Sequence, residues 1–407
     1  MSKVESTVKA LDGNAASAEA MRQINPDVVA AYPITPSTDI PETFSQFVAD
    51  GLVDTEFIPV ESEHSAMSAC IGAAAAGGRV MTITASAGLA LMWEVLYVAA
   101  STRLPIIMTI SNRALSAPIN IHCDHSDSMG TRDAGWIQIY SENAQEAYDN
   151  TFQAVRISEH ENVRLPVMIM QDGFITSHSV SRVEVYPDEE VRNFLGEYSS
   201  MHPLLDIDRP VTYGPLDFYD YYFEHKRQQV EALRNARQVI REVGMEFGNT
   251  FGREYGFFET YQLEDADCAI VVLSSTAGTA RSAVDNLRSQ GLKVGLLKPR
   301  IFRPFPADEM IDSLRGVRII AVMDRSVSFG ALENGGPLWL ELSAAAYSKG
   351  LSVPILDYVF GLGGRDITVE EIENIAQHAL RNMDEKQIQQ NVHYVGVRGD
   401  KPLEDLL

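Results

Sequence analysis

Phe57-Ile58-Pro59-Val60-Glu61-Ser62-Glu63-His64-Ser65-Ala66-Met67-Ser68-Ala69-Cys70-Ile71-Gly72-Ala73-Ala74-Ala75-Ala76-Gly77-Gly78 is the stretch on which the reading of this chain turns. Residues 57–60 read as a strand end, and two carboxylates follow at once. From Ser65 to Ala76 nearly every side chain is small, and Gly77-Gly78 stops the helix. A helix of Ala, Ser and Gly lets other backbones approach closely, so it is expected to be buried. An acid in its first turn is then partly buried too, and the helix N-terminus offsets part of its desolvation cost. The plainer reading is a carboxylate complementing the helix dipole on a solvated turn, and the flanking sequence decides between the two.

Working outward, strands and helices alternate. Upstream, residues 1–12 read as a polar arm, and a helix to about residue 24 is capped by Asp12 or Asn14. A short apolar strand at 28–32 runs into Pro33-Ile34-Thr35-Pro36-Ser37-Thr38, a loop that its two prolines stiffen. Downstream, a strand at 79–84, a small-residue turn at 85–88 and an apolar helix at 89–101 precede a strand at 104–111. That last run is nearly all apolar, as expected of a parallel strand covered on both faces. Residues 112–133 form a long irregular loop, and loops of that length inside a domain are usually functional. A helix at 143–158 and a strand at 167–171 complete a doubly wound α/β domain. Its ligands are expected outside the carboxyl ends of the strands.

From about residue 201 the character changes. An extended, proline-punctuated stretch leads to a charged helix at 219–244 and to the aromatic run Phe247, Phe251, Tyr255, Phe257, Phe258 and Tyr261. These residues are expected to dock on a neighbouring domain or subunit. A second α/β domain is expected over 260–390, with 391–407 as a tail carrying little core of its own.

Composition bounds the function. The 407 residues carry a formal net charge of −23, which argues against nucleic acid and against an anionic membrane surface as partners. The apolar runs are too short or too interrupted to span a bilayer, and no signal peptide is visible, so a cytoplasmic protein is expected. Cys70, Cys123 and Cys268 are isolated, so this chain is not expected to ligate an iron–sulfur cluster by itself.

Several signatures are missing: no GxGxxG follows the first strand, and there is no GxxxxGK[ST] or GxSxG. Residues 274–279, between a strand and a helix, offer either an anion cradle or a plain strand–turn–helix junction. His122-Cys123-Asp124-His125-Ser126-Asp127 holds metal-ligand types without a second pair at zinc spacing, so it reads rather as a polar loop lining a site. Arg113 ends an apolar strand. It reads as a fork for a small carboxylate beside Thr35, or as a salt-bridge partner of Asp124, Asp127 or Asp133.

Taken together, residues 32–38, Glu61-Ser62-Glu63-His64-Ser65-Ala66, Asn112-Arg113-Ala114-Leu115-Ser116-Ala117-Pro118 and Asp124-His125-Ser126-Asp127 form a specific series. So do Gln171-Asp172-Gly173-Phe174 with Ser177-His178, and Phe360-Gly361-Leu362-Gly363-Gly364-Arg365-Asp366. In this order they closely resemble the alpha subunits of the multi-subunit pyruvate:ferredoxin oxidoreductases, in the 2-oxoacid:ferredoxin oxidoreductase family, over about residues 12–375. The resemblance implies a thiamine-diphosphate-binding-type, doubly wound parallel-sheet domain over residues 1–250, followed by a transketolase C-terminal-like α/β domain. It implies that Glu63 hydrogen-bonds the pyrimidine ring of thiamine diphosphate, with Ser86, Asp124 and His125 as further cofactor-binding residues. Thr35 and Arg113 fall on the family's carboxylate-binding threonine and arginine. The diphosphate, its Mg2+ and a [4Fe–4S] cluster are expected on a beta subunit, with clusters on partner subunits rather than this chain; gamma and ferredoxin-like delta subunits are expected in the complex, with coenzyme A as co-substrate and ferredoxin as electron acceptor. The expected reaction is oxidative decarboxylation of pyruvate to acetyl-CoA. The alternatives are a family member acting on 2-oxoglutarate, a branched 2-oxoacid, indolepyruvate or oxalate, or an idle assembly subunit. Loss of Glu63 or Arg113 would mark the idle subunit, and both are present.

Overall fold

The computed structural model describes residues 4–385 and 389–399. Strands β1 (Thr7–Leu11), β2 (Val28–Ala31), β3 (Glu56–Pro59), β4 (Val80–Thr84), β5 (Ile106–Asn112), β6 (Ile137–Tyr140), β7 (Val167–Asp172) and β8 (Ser181–Val185) belong to the first half of the chain. In the second half lie β9 (Phe258–Tyr261), β10 (Cys268–Val272), β11 (Val294–Pro299), β12 (Ile301–Arg303), β13 (Ile319–Asp324), β14 (Ile355–Val359) and β15 (Val392–Tyr394).

β5 lies between β4 and β7, parallel to both, and all seven of its residues are buried. That is why its sequence is an apolar run rather than an alternation. The sheet order is β12-β6-β7-β5-β4-β2-β3, parallel except for β12. The second sheet runs β15-β14-β13-β10-β11-β9, parallel except for β9. β12 comes from the second half of the sequence yet forms the edge of the first sheet, against β6. One apolar cluster accordingly continues from Ala66, Leu96 and Met108 of the first half through Phe302 to Leu338 and Trp339 of the second.

The Ala-rich helix spans Glu63–Ala76. Ser62 caps it by accepting from the Ser65 amide, and Gly77 ends it at a left-handed φ of 110°. Met67, Cys70 and Ala74 pack inward and Ser68 outward, so the small residues serve close packing on one side only. Asp12, not Asn14, caps the helix Gly13–Ile24.

Four features differ from the sequence reading. The expected polar arm contains β1, which pairs antiparallel with β8; β1 is exposed along nearly its whole length and β8 is buried only at Val183 and Val185, so neither shows an apolar run. The expected helix at 89–101 is two helices, Ser86–Leu91 and Trp93–Ser101. The charged helix runs further than expected, Tyr222–Phe251, and carries Phe247 and Phe251 into this chain's own core. There they stack with Tyr186 and Phe194, so the aromatic run is largely an internal joint. Finally, the expected tail supplies β15, parallel to β14, with Val392 and His393 buried. Only three residues take part, too few to show a pattern. Residues 400–407 of that tail lie outside the described residues.

Candidate active site

The sheet brings four loops to one carboxyl edge. Thr35 follows β2, Glu63 follows β3, Ser86 follows β4 and Arg113 follows β5. Asp127 ties the last two loops together. One of its oxygens accepts the backbone amides of Ser86 and Arg113, both at 3.0 Å; the other accepts the Asn112 side-chain amide at 2.8 Å and the Ser128 amide at 2.7 Å. Burial pushes the Asp127 carboxyl up, against these four donors, to about 6. Every donor is neutral, so nothing fully offsets the desolvation of the charge.

Arg113 is 9% exposed. Its Nε donates to the Asn120 carbonyl at 2.8 Å and its Nη1 to the Thr35 carbonyl at 3.0 Å. Among the described residues it forms no ion pair, so Asp124, Asp127 and Asp133 are not its salt-bridge partners. A nearly buried guanidinium held only by carbonyl oxygens is oriented without being neutralised, which suits it to receive an anion. Thr35 meets Arg113 through its carbonyl, and its own side of the loop is exposed.

Glu63 is 6% exposed and its carboxylate makes no hydrogen bond or ion pair among the described residues. It lies against Gly88, where a Cβ would come within 2.5 Å of Oε1 and 2.6 Å of the Thr84 hydroxyl. That hydroxyl is itself buried without a partner. A side chain at 88 would collide with the acid, so glycine there lets the turn cradle an unpartnered acceptor beside a free hydroxyl. An acceptor beside a hydroxyl suits the polar edge of a nitrogen heterocycle such as that of thiamine diphosphate. Glu61, the other acid of the pair, is fully exposed and accepts from Ser65 at 2.5 Å.

The other three expected cofactor residues are placed differently. Ser86 is fully buried and its hydroxyl donates to the Ala114 carbonyl at 2.7 Å, so it joins loops. Asp124 accepts from the Ser126 amide at 3.0 Å and from the Gly363 amide of the second half at 3.2 Å. His125 bonds Asp172 at 2.8 Å, and its amide donates to the Arg325 carbonyl at 2.9 Å. These are bracing contacts.

Asp172, at the end of β7, receives His125, Arg325 at 3.4 Å and the Ser275 amide and hydroxyl. Burial alone would raise its carboxyl, but His125, Arg325 and Ser275 outweigh it and hold the group well below the usual range. The anion at residues 274–279 is therefore an internal carboxylate from the first half, set at the start of the helix Thr276–Ser289. Cys123, His125 and Asp172 converge, but Arg325 stands among them, so a cation is already supplied. Likewise Glu142, Glu146 and Glu259 converge on Lys298. Arg325 was not singled out from sequence, and Asp172 entered only as part of the motif at 171–174, with no role. Their one signal is position, since each falls at the carboxyl end of a buried parallel strand.

Against this geometry the comparisons are specific. Residues 19–245 match the family model described as pyruvate flavodoxin/ferredoxin oxidoreductase, thiamine diphosphate-binding. Residues 266–372 match pyruvate:ferredoxin oxidoreductase core domain II. The chain belongs to the pyruvate:ferredoxin oxidoreductase family. It is 56% identical to pyruvate synthase subunit PorA of Thermotoga maritima over 96% of this chain and 98% of that one. Against PorA of Methanocaldococcus jannaschii the figures are 48%, 93% and 96%. Ketoisovalerate oxidoreductase subunit VorA of Pyrococcus horikoshii is 43% identical, over 95% and 97%. In fold, the chain superposes with a TM-score of 0.73 on 2-oxoglutarate:ferredoxin oxidoreductase from Magnetococcus marinus. That match is 21% identical and covers 92% of this chain but 65% of the other. No helix among the described residues is long and apolar enough to cross a membrane.

Proposed function

We propose that this chain is the subunit of a pyruvate synthase that holds the pyrimidine end of thiamine diphosphate and captures the carboxylate of pyruvate. The observation that carries this reading is the pair of incomplete groups at one sheet edge, Arg113 without an anion and Glu63 without a donor among the described residues. Thiamine diphosphate, when bound, supplies the nucleophilic carbon and the electron sink for decarboxylation. Glu63 would accept from, and share a proton with, the ring nitrogen laid in the Gly88 cradle. Arg113 would orient the substrate through its free Nη2, with the Thr35 loop closing the other side.

The rest of the reaction falls to partners. Mg2+ and the diphosphate belong on a beta subunit, and [4Fe–4S] clusters on beta and ferredoxin-like delta subunits beside a gamma subunit. Coenzyme A takes the acyl group and ferredoxin the electrons. An extended segment with Leu205, Ile207, Leu216, Phe218 and Tyr219 mostly exposed offers these partners an apolar seat. The described cysteines are all free and buried, and none sits in a cysteine cluster, consistent with cluster ligands lying on other subunits.

The test is a substrate panel on the assembled complex, reading coenzyme A-dependent ferredoxin reduction. Pyruvate should be preferred over 2-oxoisovalerate by at least about tenfold in kcat/KM, the scale on which a pocket rejects extra methyl groups. A preference for the branched acid would move the substrate to that of the VorA relatives, and inactivity on every 2-oxoacid would remove the reading.

A further inference from the structure

The turn Gly361–Gly364 leaves the carboxyl end of β14, in the second half of the chain, and nothing in the proposed chemistry needs it. It nonetheless reaches across to the loop that carries Arg113. The Asn120 side-chain amide donates to the Gly363 carbonyl at 2.9 Å, and the Gly363 amide donates to Asp124 at 3.2 Å. One residue is thus gripped by loop 113–125 through both its amide and its carbonyl. The backbone allows this only with glycine. Gly363 and Gly364 have φ of 62° and 81°, a Cβ on the first would overlap the Asn120 amide, and one on the second would overlap His122.

The grip passes directly to the guanidinium. The Asn120 carbonyl is the acceptor for Arg113 Nε, and the Asn120 side-chain oxygen also accepts the His122 amide at 2.7 Å. His122 in turn accepts from the Ala114 amide at 3.0 Å, which closes the loop on itself. Asn120 therefore joins three things: the glycine turn, the loop's own closure and the Arg113 fork. We infer that the Gly361–Gly364 turn and Asn120 form a positioning device through which the second half of the chain sets the direction of the Arg113 guanidinium, and so the capture of the substrate carboxylate. This rests on Arg113 being the carboxylate clamp.

The experiment is a double-mutant cycle of Asn120→Ala and Arg113→Ala in the assembled complex. Asn120→Ala removes the side-chain bond between the halves and the bond to the His122 amide without touching the backbone carbonyl, whereas Asn120→Asp keeps an oxygen for His122 and loses only the bond to Gly363. Each should raise KM for pyruvate about 3- to 10-fold, the scale of a lost hydrogen bond, with kcat within about twofold. In the Arg113→Ala background the same change should have no further effect on KM. Gly363→Ala should follow Asn120→Ala, and if it fails to fold, Asn120→Asp replaces it, since it turns the donor into an acceptor facing the Gly363 carbonyl. An unchanged KM in Asn120→Ala, or effects that multiply fully in the double variant, would overturn the positioning role. If Arg113→Ala alone leaves KM unchanged, the clamp itself is wrong, which is a different outcome from failure of the device.

Discussion

The seam between the two halves and the carboxyl edge of the first sheet bury charged side chains to similar depth, and treat them oppositely. At the seam, Lys298 is 2% exposed and meets Glu142 at 2.8 Å, Glu146 and Glu259, while Arg281 also bonds Glu142 and Glu259. Asp172 is equally enclosed by His125, Arg325 and Ser275. At the edge, Glu63 and Arg113 have no opposite charge among the described residues. Folding tolerates an isolated buried charge only where something else is served, because desolvation without a partner is costly. Charged residues of the same depth thus sort into joints and sites by whether this chain completes their pairing.

That contrast breaks first at Glu63. Glu63→Gln should lower turnover of the assembled complex by about 10²- to 10⁴-fold, the range for a positioned acid–base group, with assembly intact. Steady-state ferredoxin reduction beside size-exclusion profiles measures both. Unchanged turnover would make Glu63 a mere helix-dipole partner.

Lys298→Met should do the reverse, leaving chemistry alone and costing about 3–5 kcal/mol of stability, because it strands the buried Glu146 carboxylate, whereas Glu142 keeps Arg281. Denaturant titration reads it. Stranded acids have folded pKa values above their unfolded ones, so their cost grows as pH rises through the usual carboxylate range. The deficit should therefore be larger at pH 8 than at pH 5.

Arg113→Ala should raise KM for pyruvate about 10- to 200-fold, the worth of a charge-assisted bond, and Arg113→Lys should recover only part because the fork is lost. Equal kcat/KM for wild type and Arg113→Ala would return Arg113 to a structural role.

The smallest effect concerns Asp127, whose carboxyl lies at about 6. Its folded value is raised, so the folded chain holds more protons between about 3.8 and about 6; that stabilisation is present at low pH and lost as pH rises through 6. Acidification should thus not weaken the fold through Asp127, yet protonation disturbs the carboxylate that holds the Arg113 and Ser86 amides. KM for pyruvate should worsen a few-fold from pH 7 to pH 5.5, an inflection that Asp127→Asn removes.

Much of the first sheet could be read from sequence because its strands are buried on both faces and advertise themselves as apolar runs, as at 106–112. β1, β8 and β15 could not, since short or half-exposed strands draw their identity from the partner they meet. The site divides along the same line. The placing of Glu63 and Arg113 at the sheet edge could be read because each follows a strand end beside small or rigid residues. Ser86, Asp124 and His125 looked like ligand groups, but their partners, Ala114, Gly363 and Asp172, are 28, 239 and 47 residues away. A polar residue's type does not reveal whether its partner is another part of the chain or a bound molecule.

β12 has a consequence for how this protein could be divided or recombined. Ile301–Arg303 closes the edge of the first sheet although its neighbours in sequence build the second. A cut in the 252–265 region would leave β6 with bare backbone donors and acceptors, an invitation to self-association. The borders drawn along the sequence are therefore not seams at which modules can be exchanged. A chimera that takes its second half from a relative would have to import a β12 matched to the host's Ile137–Tyr140. Otherwise inheritance of the two halves as one block is the only arrangement that keeps both sheets closed.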